Sequence, residues 1–261
     1  MSRTIGRIAA IAVFLIAQAA LAGAAELKVF STIGVQAALE ELAPKFEAAT
    51  GNKITFTWGT AAMLVKRVQG GESADLYVLT KQGFDALVKE DKAANSADAV
   101  FAKSGMAMVV KKGAPKPDIS TAEAFKQTLL KAKTIAYSNP AAGGASGVYL
   151  AKLLERIGIA EQVKDKTKFR PAGGNAANLV ANGEAELAVQ QEPEVMAVSG
   201  VDMVGPLPIE LNNVTVYSAG ASSTTKEASA GAALAKFLHT PEAQAVFKAR
   251  GLTPLDAPKG S

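Results

Sequence analysis

The chain has 261 residues, no cysteine and one histidine, and 49% of its residues are hydrophobic while 20% are charged. This composition excludes a disordered tail, a disulfide-stabilised mini-protein and any chemistry that needs a thiolate, and one histidine cannot form a His-rich metal site. The formal charge of +4 is not gathered into a basic stripe with interleaved aromatic residues. We therefore expect no nucleic-acid partner, no metal and no cofactor, although a mild positive balance suits a small anionic ligand.

The N-terminus has the pattern of a secretory signal peptide. Arg3 and Arg7 precede an apolar run at residues 8–21, and small residues follow it. The run is shorter than the about 20 residues that a membrane span needs. We expect the first 25 residues to be a signal peptide cleaved after Ala22 or Ala25, which predicts a periplasmic protein. An uncleaved membrane anchor is the alternative.

Strand-like and helix-like patterns alternate in the first half of the remaining chain. Apolar or alternating runs at residues 27–31, 53–57 and 76–79 predict strands. Between them, apolar residues recur at helical spacing from residue 35 to a Thr-Gly-Asn stop at 50–52, and again at 61–69. This β-α-β-α-β order predicts a mostly parallel sheet with helices on both faces.

The second half repeats this alternation, so the length fits either one large α/β unit or two smaller lobes. The patterns predict strands at residues 106–110, 134–137, 187–189, 203–204 and 213–219. They predict helices at residues 121–130, 147–157, 228–238 and 241–250.

Small hydroxyl residues and glycines follow several predicted strands. In open α/β sheets, ligands bind at the carboxyl ends of the strands, where free backbone amides at helix starts attract anions and short hydroxyls add donors. At any single turn, an ordinary N-cap or turn former is the simpler interpretation. Together they predict an anion site, and the turns concerned are Ser31–Gly34, Gly59–Ala62, Ser138 with Gly143–Gly147, and Gly173–Asn175.

Several segments resemble the periplasmic molybdate-binding proteins, which have the type II two-lobed solute-binding fold. They are Val29-Phe30, Thr50-Gly51, Gly70-Gly71-Glu72-Ser73-Ala74-Asp75-Leu76, Gly183-Glu184-Ala185-Glu186-Leu187-Ala188-Val189 and Thr240-Pro241-Glu242-Ala243. The resemblance covers essentially the whole chain after the first 25 residues. It implies an α/β protein with two lobes, each a mostly parallel sheet flanked by helices, and a ligand cleft between them.

The resemblance also implies where the chain crosses between the lobes. Residues 26–104 and 214–261 are expected to form the first lobe and residues 105–213 the second. The family's two oxyanion-binding serines fall at Gly34 and Ala61, and its late tyrosine falls at Gln190. These departures put a tetrahedral oxyanion pocket in doubt, and a longer, glycine-rich third loop suits a larger ligand with several carboxylates.

The chain is similar in particular to an enzymatic branch of this family, the periplasmic aconitate isomerases, which interconvert trans- and cis-aconitate. The chemistry implied is a 1,3-proton shift, which needs donors at a carboxylate and a base that returns the proton elsewhere. The residues expected to bind the tricarboxylate are Ser31, Thr32, Gly34, Thr60, Ala61, Ser138, Gly144, Ser146, Gly147 and Gln190.

The sequence leaves the proton acceptor open. Lys66 and Arg67 are candidates for a catalytic role, because one of them could reach the cleft as a carboxylate clamp, but a solvated helix face is an equal alternative. Glu192 follows a predicted strand, yet it would repel a polyanion. Two functions other than an isomerase remain: the binding subunit of a transporter that delivers molybdate or another anion to a membrane permease, and a sensor or scavenger. In each case a monomer is expected.

Overall fold

The computed structural model describes residues 24–96, 99–170 and 174–256, and their strands form two separate sheets. The predicted signal peptide lies almost entirely outside these residues. Within the described ranges, no helix is both long enough and apolar enough to cross a membrane.

The first sheet has six strands in the order β11-β4-β10-β3-β1-β2. Their bounds are β1 Glu26–Thr32, β2 Lys53–Gly59, β3 Leu76–Thr80, β4 Val100–Ser104, β10 Thr215–Ala221 and β11 Thr253–Pro254. Strand β1 pairs in parallel with β2 and β3, whereas β10 runs antiparallel to both β3 and β4. The three consecutive parallel strands therefore direct their carboxyl ends to one edge of the sheet.

The second sheet has five strands in the order β7-β6-β8-β5-β9. Their bounds are β5 Met106–Lys111, β6 Ile135–Ser138, β7 Thr167–Arg170, β8 Leu187–Gln191 and β9 Val201–Pro206. Strand β6 is parallel to β7 and β8, and β5 is antiparallel to β8 and β9. The predicted two-lobed α/β fold is confirmed. Both sheets are mixed, however, because β10 and β5, the first strands after each crossing, run against their neighbours.

Ten helices of the described residues flank the two sheets. They are α1 Gln36–Thr50, α2 Ala61–Gln69, α3 Lys81–Lys89, α4 Ala122–Lys131, α5 Ala145–Arg156, α6 Ala160–Lys164, α7 Ala177–Ala181, α8 Glu192–Met196, α9 Ala228–Phe237 and α10 Pro241–Ala249. Helix α1 forms because Leu39, Leu42 and Phe46 fall on one buried face, and it ends at Gly51, whose φ of +77° suits a residue without Cβ.

Each sheet is covered on both faces by apolar side chains. In the first sheet, Phe46 lies in the cluster on one face and Phe84 in the cluster on the other. In the second sheet, Phe125 and Val180 mark the two corresponding clusters. Each such side chain contributes roughly 1.5–3 kcal/mol when it is fully buried. Because both faces are covered, the ends of the strands are the parts of each sheet that a ligand can approach.

The chain crosses from the first sheet to the second between Ser104 and Met106 and returns between β9 and β10. Asn212 joins the two crossings: its Oδ1 accepts a hydrogen bond of 2.8 Å from Met106 N, and its Nδ2 donates to Leu207 O at 3.3 Å. The two connections thus lie side by side, as a hinge between two sheets requires.

Candidate functional site

A cavity lies between the two sheets, where the carboxyl ends of β1, β2 and β3 face those of β6 and β8. We call it the inner cavity. It contains about 530 Å³ of space outside the protein atoms, its open mouth included. Its lining is Thr32, Ile33, Gly34, Thr60, Ala61, Thr80, Thr215 and Tyr217 from the first sheet's side, and Ser138, Asn139, Ala142, Gly144, Ala145, Ser146, Gly174, Gln191 and Glu194 from the second's.

Helices α2, α3 and α5 each begin at the inner cavity, and their N-termini differ. The hydroxyls of Thr60 and Thr80 cap α2 and α3 by accepting hydrogen bonds from the amides of Met63 and Gly83. Helix α5 begins after Gly144, and no side chain of the described residues caps it. Since the first amides of a helix have no intrahelical acceptor, those at the start of α5 remain available to an anion, and the helix dipole favours negative charge there.

The two sides of the cleft touch at the rim of this cavity. Thr60 Oγ1 donates a hydrogen bond of 3.0 Å to the carbonyl oxygen of Ala142. Beside it, Gly143 has a φ of +72°, and a Cβ added there would lie 2.7 Å from the Cβ of Ala62. Only glycine allows this approach, so the contact between the two sides of the cleft depends on Gly143.

Glu194, on the short helix α8, is the one carboxylate that lines the inner cavity within the described ranges. Burial raises its pKa to about 7, and the facing amide of Gln190 lowers it again only in part. The Asn175 side-chain amide donates to the main-chain oxygen of Glu194 and so fixes the helix. A carboxyl group with this pKa is divided between its acid and its base form near neutral pH, which is the condition for a proton carrier.

A hydrogen-bonded network forms another wall of the cavity. Gln191 accepts from Ser104 Oγ at 2.7 Å and donates to Thr215 Oγ1 at 2.6 Å, and the Tyr217 hydroxyl lies 3.1 Å from Ser104 Oγ. Burial, together with the nearby charge of Glu194, raises the pKa of Tyr217, so its phenol stays neutral. Gly34 packs directly against it, because a Cβ on Gly34 would lie 2.5 Å from the Tyr217 oxygen.

The structure brings most of the predicted ligand-binding residues together. Seven of the ten line the inner cavity: Thr32, Gly34, Thr60, Ala61, Ser138, Gly144 and Ser146. Gly173 of the predicted fourth turn lies outside the described residues, whereas its neighbour Gly174 lines the cavity.

Three predicted residues lie elsewhere. Ser31 is buried inside β1 between two neighbouring strands, and its hydroxyl donates to Thr32 O at 3.4 Å. Gly147 packs against the carbonyl of Ser138, where a Cβ would lie 2.1 Å from that oxygen. Gln190 is fully buried behind the cavity wall and accepts a hydrogen bond from Ala176 N at 2.7 Å. Gly147 and Gln190 therefore shape the site without lining the inner cavity.

The structure does not bring the two cationic candidates, Lys66 and Arg67, to the inner cavity. Both occupy the last turn of α2, whose other end faces the cleft. Arg67 forms a two-pronged ion pair with Glu72, with nitrogen–oxygen distances of 2.9 and 2.6 Å, and its guanidinium lies 4.9 Å from the centre of the Phe30 ring. Lys66 is exposed and Arg67 is paired at the surface, so the solvated helix face is the alternative that the structure fits, because the length of α2 carries both residues away from the cleft.

Sequence reasoning missed Glu194, Gln191 and Tyr217. The sequence does contain an indication of the position of Glu194, because Pro193 suits the first turn of a helix that begins directly after β8. Such a helix turns Glu192 and Glu194 to different surroundings. Glu192 is half-buried with a raised pKa and packs near Gly251, whereas Glu194 lines the cavity.

A wider outer part of the cleft adjoins the inner cavity, and we call it the vestibule. It contains about 1,400 Å³ outside the protein atoms, its mouth included. Lys81 on α3 and Lys152 on α5 are the charged residues that line it, and Tyr149 also lines it while donating its hydroxyl to Leu211 O at 3.0 Å. No group of three or more potential metal-ligating side chains occurs in the part of the chain that the structure describes.

Comparisons with known proteins agree with this architecture. Residues 27–253 match the model of a family described as bacterial extracellular solute-binding protein. The molybdate-binding protein of Azotobacter vinelandii superposes with a TM-score of 0.71 at 19% identity, covering 87% of this chain and 98% of that one. The sulfate-binding protein SubI of Mycobacterium tuberculosis H37Rv gives 0.73 at 20% identity, covering 89% and 88%. These structures show a shared fold.

The curated sequence relatives include both an enzyme and binding proteins. The aconitate isomerase of a Pseudomonas species is 36% identical over 237 residues, which is 88% of each chain. The molybdate-binding protein ModA of Escherichia coli K12 is 23% identical and covers 92% of this chain and 93% of its own. The chain belongs to the bacterial extracellular solute-binding protein family, and its predicted resemblance to molybdate-binding proteins is confirmed.

Proposed function

We propose that the protein is an isomerase that shifts the double bond of a small polycarboxylate, with aconitate as the substrate. The observation that carries this proposal is Glu194: a carboxyl group with a pKa of about 7 lines a cavity whose other lining groups are neutral. An ionised carboxylate beside the ligand would repel an anion, so a site that only binds an anion does not need one. The 36% identity to an aconitate isomerase supports the same reaction.

The helix starts and hydroxyls hold the substrate's carboxylates. The open N-terminus of α5 takes one carboxylate, and Ser138 and Ser146 add donors beside it. The neutral phenol of Tyr217 is a further donor on the opposite side. Such donors stabilise the negative charge that develops on a carboxylate when a proton leaves the adjacent carbon.

Glu194 then carries the proton. Its ionised form takes a proton from the substrate's methylene carbon, and the electron pair is delocalised over the three-carbon allylic unit and the attached carboxylates. The protonated carboxyl returns a proton to the carbon at the other end of that unit, so the double bond moves and the enzyme regains its starting state. No redox step is involved, and substrate and product are isomers.

The protein acts outside the cytoplasm in this proposal. Its support is the N-terminal pattern, with Arg3 and Arg7 before the apolar run, together with membership of an extracellular solute-binding family. The mass of the protein secreted to the periplasm of a bacterial host tests this part. We expect a mature chain that begins after Ala22 or Ala25, and the full-length mass in the membrane fraction would contradict it.

The experiment that tests the activity is direct. Purified protein is incubated with trans-aconitate, and the olefinic and methylene signals are followed by proton NMR. We expect cis-aconitate to form at a rate proportional to the protein concentration. Tight binding with no conversion contradicts the isomerase.

The alternative is a binding protein for molybdate or a similar oxyanion that serves a membrane permease. Two observations favour it: the inner cavity holds hydroxyls and helix N-termini without a cationic side chain among the described residues, and curated molybdate-binding proteins are relatives over most of the chain. Thermal unfolding with 1 mM molybdate, tungstate, sulfate or aconitate separates the two. Stabilisation by molybdate or tungstate alone favours the alternative, and stabilisation by aconitate with turnover favours the isomerase.

A further inference from the structure

Glu194 borders a second cavity as well as the inner one. This second cavity, which we call the back pocket, contains about 550 Å³ outside the protein atoms, its mouth included. It lies on the other side of the contact between α8 and the turn at Ile33–Val35, and it shares Ile33, Gly34 and Glu194 with the inner cavity. Glu194 therefore separates two spaces that reach the surface at different places.

The lining of the back pocket is polar where it meets Glu194. Gln190 is fully buried there: its Oε1 is held by Ala176 N, and its Nε2 faces the Glu194 carboxyl without an aligned hydrogen bond to it or to another described residue. Glu194 Oε2 is likewise shielded from solvent without a partner in the described part of the chain. A buried donor or acceptor without a partner destabilises the folded protein, so a polar space beside these two atoms is a site for water.

The back pocket shares no lining residue with the vestibule. Exposed residues stand at the mouth of the back pocket: Glu40, which accepts a hydrogen bond of 2.7 Å from Gln36, and Ala197 at the end of α8. The rim contact between Thr60 and Ala142 lies on the inner-cavity side. A ligand that fills the inner cavity thus blocks access to Glu194 from the vestibule and leaves the back pocket open.

We propose that the back pocket binds water between Gln190 Nε2 and Glu194 Oε2, and that this water exchanges the proton of Glu194 with solvent while substrate occupies the inner cavity. This inference rests on the proposed function, since it assumes that Glu194 receives the substrate's proton. After the methylene proton moves to Glu194, the carboxyl exchanges it with water of the back pocket, and the proton that is returned to the other carbon comes from solvent.

Isotope incorporation tests the exchange. The wild-type protein converts unlabelled trans-aconitate in D₂O, and the deuterium content of the cis-aconitate is measured by mass spectrometry at low conversion. We expect close to one deuterium per product molecule. Product without deuterium at the earliest time points overturns the inference, because the proton then stays on Glu194 throughout the turnover.

Two variants narrow the back pocket from opposite walls: Ala37→Leu on α1 and Ala197→Leu at the end of α8. Each should lower the deuterium content at least about threefold and leave kcat within about twofold. Ala48→Leu is the matched control, because Ala48 is exposed on the same helix as Ala37 and lines none of the cavities described above. Variants that fold and incorporate deuterium like the control contradict the inference.

A protein that is not an isomerase can be distinguished from an isomerase without proton exchange through the back pocket. If the wild-type protein forms no cis-aconitate, the isomerase assignment fails and the back pocket is tested without turnover. The infrared carbonyl band of protonated Glu194, identified by its loss in Glu194→Gln, is followed after transfer into D₂O with the protein saturated by trans-aconitate. Slower exchange in Ala37→Leu than in Ala48→Leu supports the pocket, and equal rates overturn it.

Discussion

The inner cavity and the vestibule adjoin each other but differ in their chemistry. The vestibule has two lysines, one from each side of the cleft, and no acidic side chain among its lining residues. The inner cavity has no cationic side chain in its described lining, but it has Glu194, a neutral tyrosine and helix N-termini. Charge that attracts an anion is therefore placed outside, and groups that hold it and move a proton are placed inside.

This separation has a physical reason. A lysine beside Glu194 would lower the pKa of the carboxyl and would leave it a permanently ionised, weak base. Amides and hydroxyls also bind carboxylates, but they are dipoles rather than full charges, and the amide of Gln190 lowers the pKa of Glu194 only in part. The neutrality of the inner cavity is thus what keeps the pKa of Glu194 near 7, and four experiments test the contrast between the two regions.

The largest effect is expected from Glu194→Gln. The amide keeps the size of the side chain but cannot accept the substrate's proton, so kcat should fall by about 10² to 10⁴-fold while aconitate still stabilises the protein against heat. Glu192→Gln is the matched control, because Glu192 is two residues away and does not line the inner cavity. A Glu194→Gln variant that keeps more than a tenth of the wild-type rate would remove Glu194 from the mechanism.

A smaller effect is expected from opening the rim between the two regions. In Gly143→Ala the new Cβ would meet Ala62 at 2.7 Å, so the lobes cannot close fully and the dissociation constant for aconitate should rise by about 10- to 100-fold, measured by calorimetry. Gly113→Ala controls for backbone strain, since Gly113 has a similar φ of +78° with nothing within 4 Å. Equal affinities in the two variants would show that the rim contact does not hold the closed state.

The raised pKa of Glu194 also predicts a pH dependence of stability. The folded state keeps this carboxyl protonated up to about pH 7, whereas the unfolded chain loses the proton near its ordinary pKa of 4.5. The resulting stabilisation is complete below about pH 4.5 and is lost as the pH rises through 7. Relative to Glu194→Gln, the wild-type free energy of unfolding should fall by on the order of 2 kcal/mol between pH 4.5 and 7.5, as measured by urea denaturation. Parallel curves for the two proteins would contradict the raised pKa.

Much of the fold could be predicted from local patterns in the sequence. The predicted strand at residues 76–79 lies within β3, because a strand buried on both faces is a continuous apolar run. The predicted strand at 27–31 lies within β1, whose first residues alternate between exposed and buried positions. Helix α3 was missed, since it follows β3 without a loop and buries only Phe84 and Leu87. Strand β7 was missed because it is an edge strand with few apolar residues, paired with β6 alone.

The residues of the candidate site also fall into two groups, those that the sequence predicts and those that it does not. The turns after strands could be predicted because their glycines and hydroxyls are adjacent in sequence to the strands that position them. Tyr217 reaches Gly34 across 183 positions of the chain (217 − 34) through the antiparallel pairing of β10, and α8 meets the turn at Ile33–Val35 through lobe packing. Neither contact has a local signal, so the residues that distinguish a proton-transfer site from an anion-binding site were the ones that the sequence did not indicate.

The smallest effect is expected in the vestibule. Lys152 is exposed, has no carboxylate within 4 Å in the described ranges, and lies across the cleft from Lys81, which is paired with Asp85 at 2.6 Å. Lys152→Ala should therefore slow aconitate association about two- to fivefold at low salt and leave kcat unchanged, since an exposed charge steers an anion without touching it in the inner cavity. Stopped-flow measurements at 20 and 300 mM NaCl check this, and the difference from wild type should vanish at the higher salt. A lower kcat in this variant would mean that the vestibule lysine reaches the bound substrate, and the separation of charge from chemistry would then be wrong.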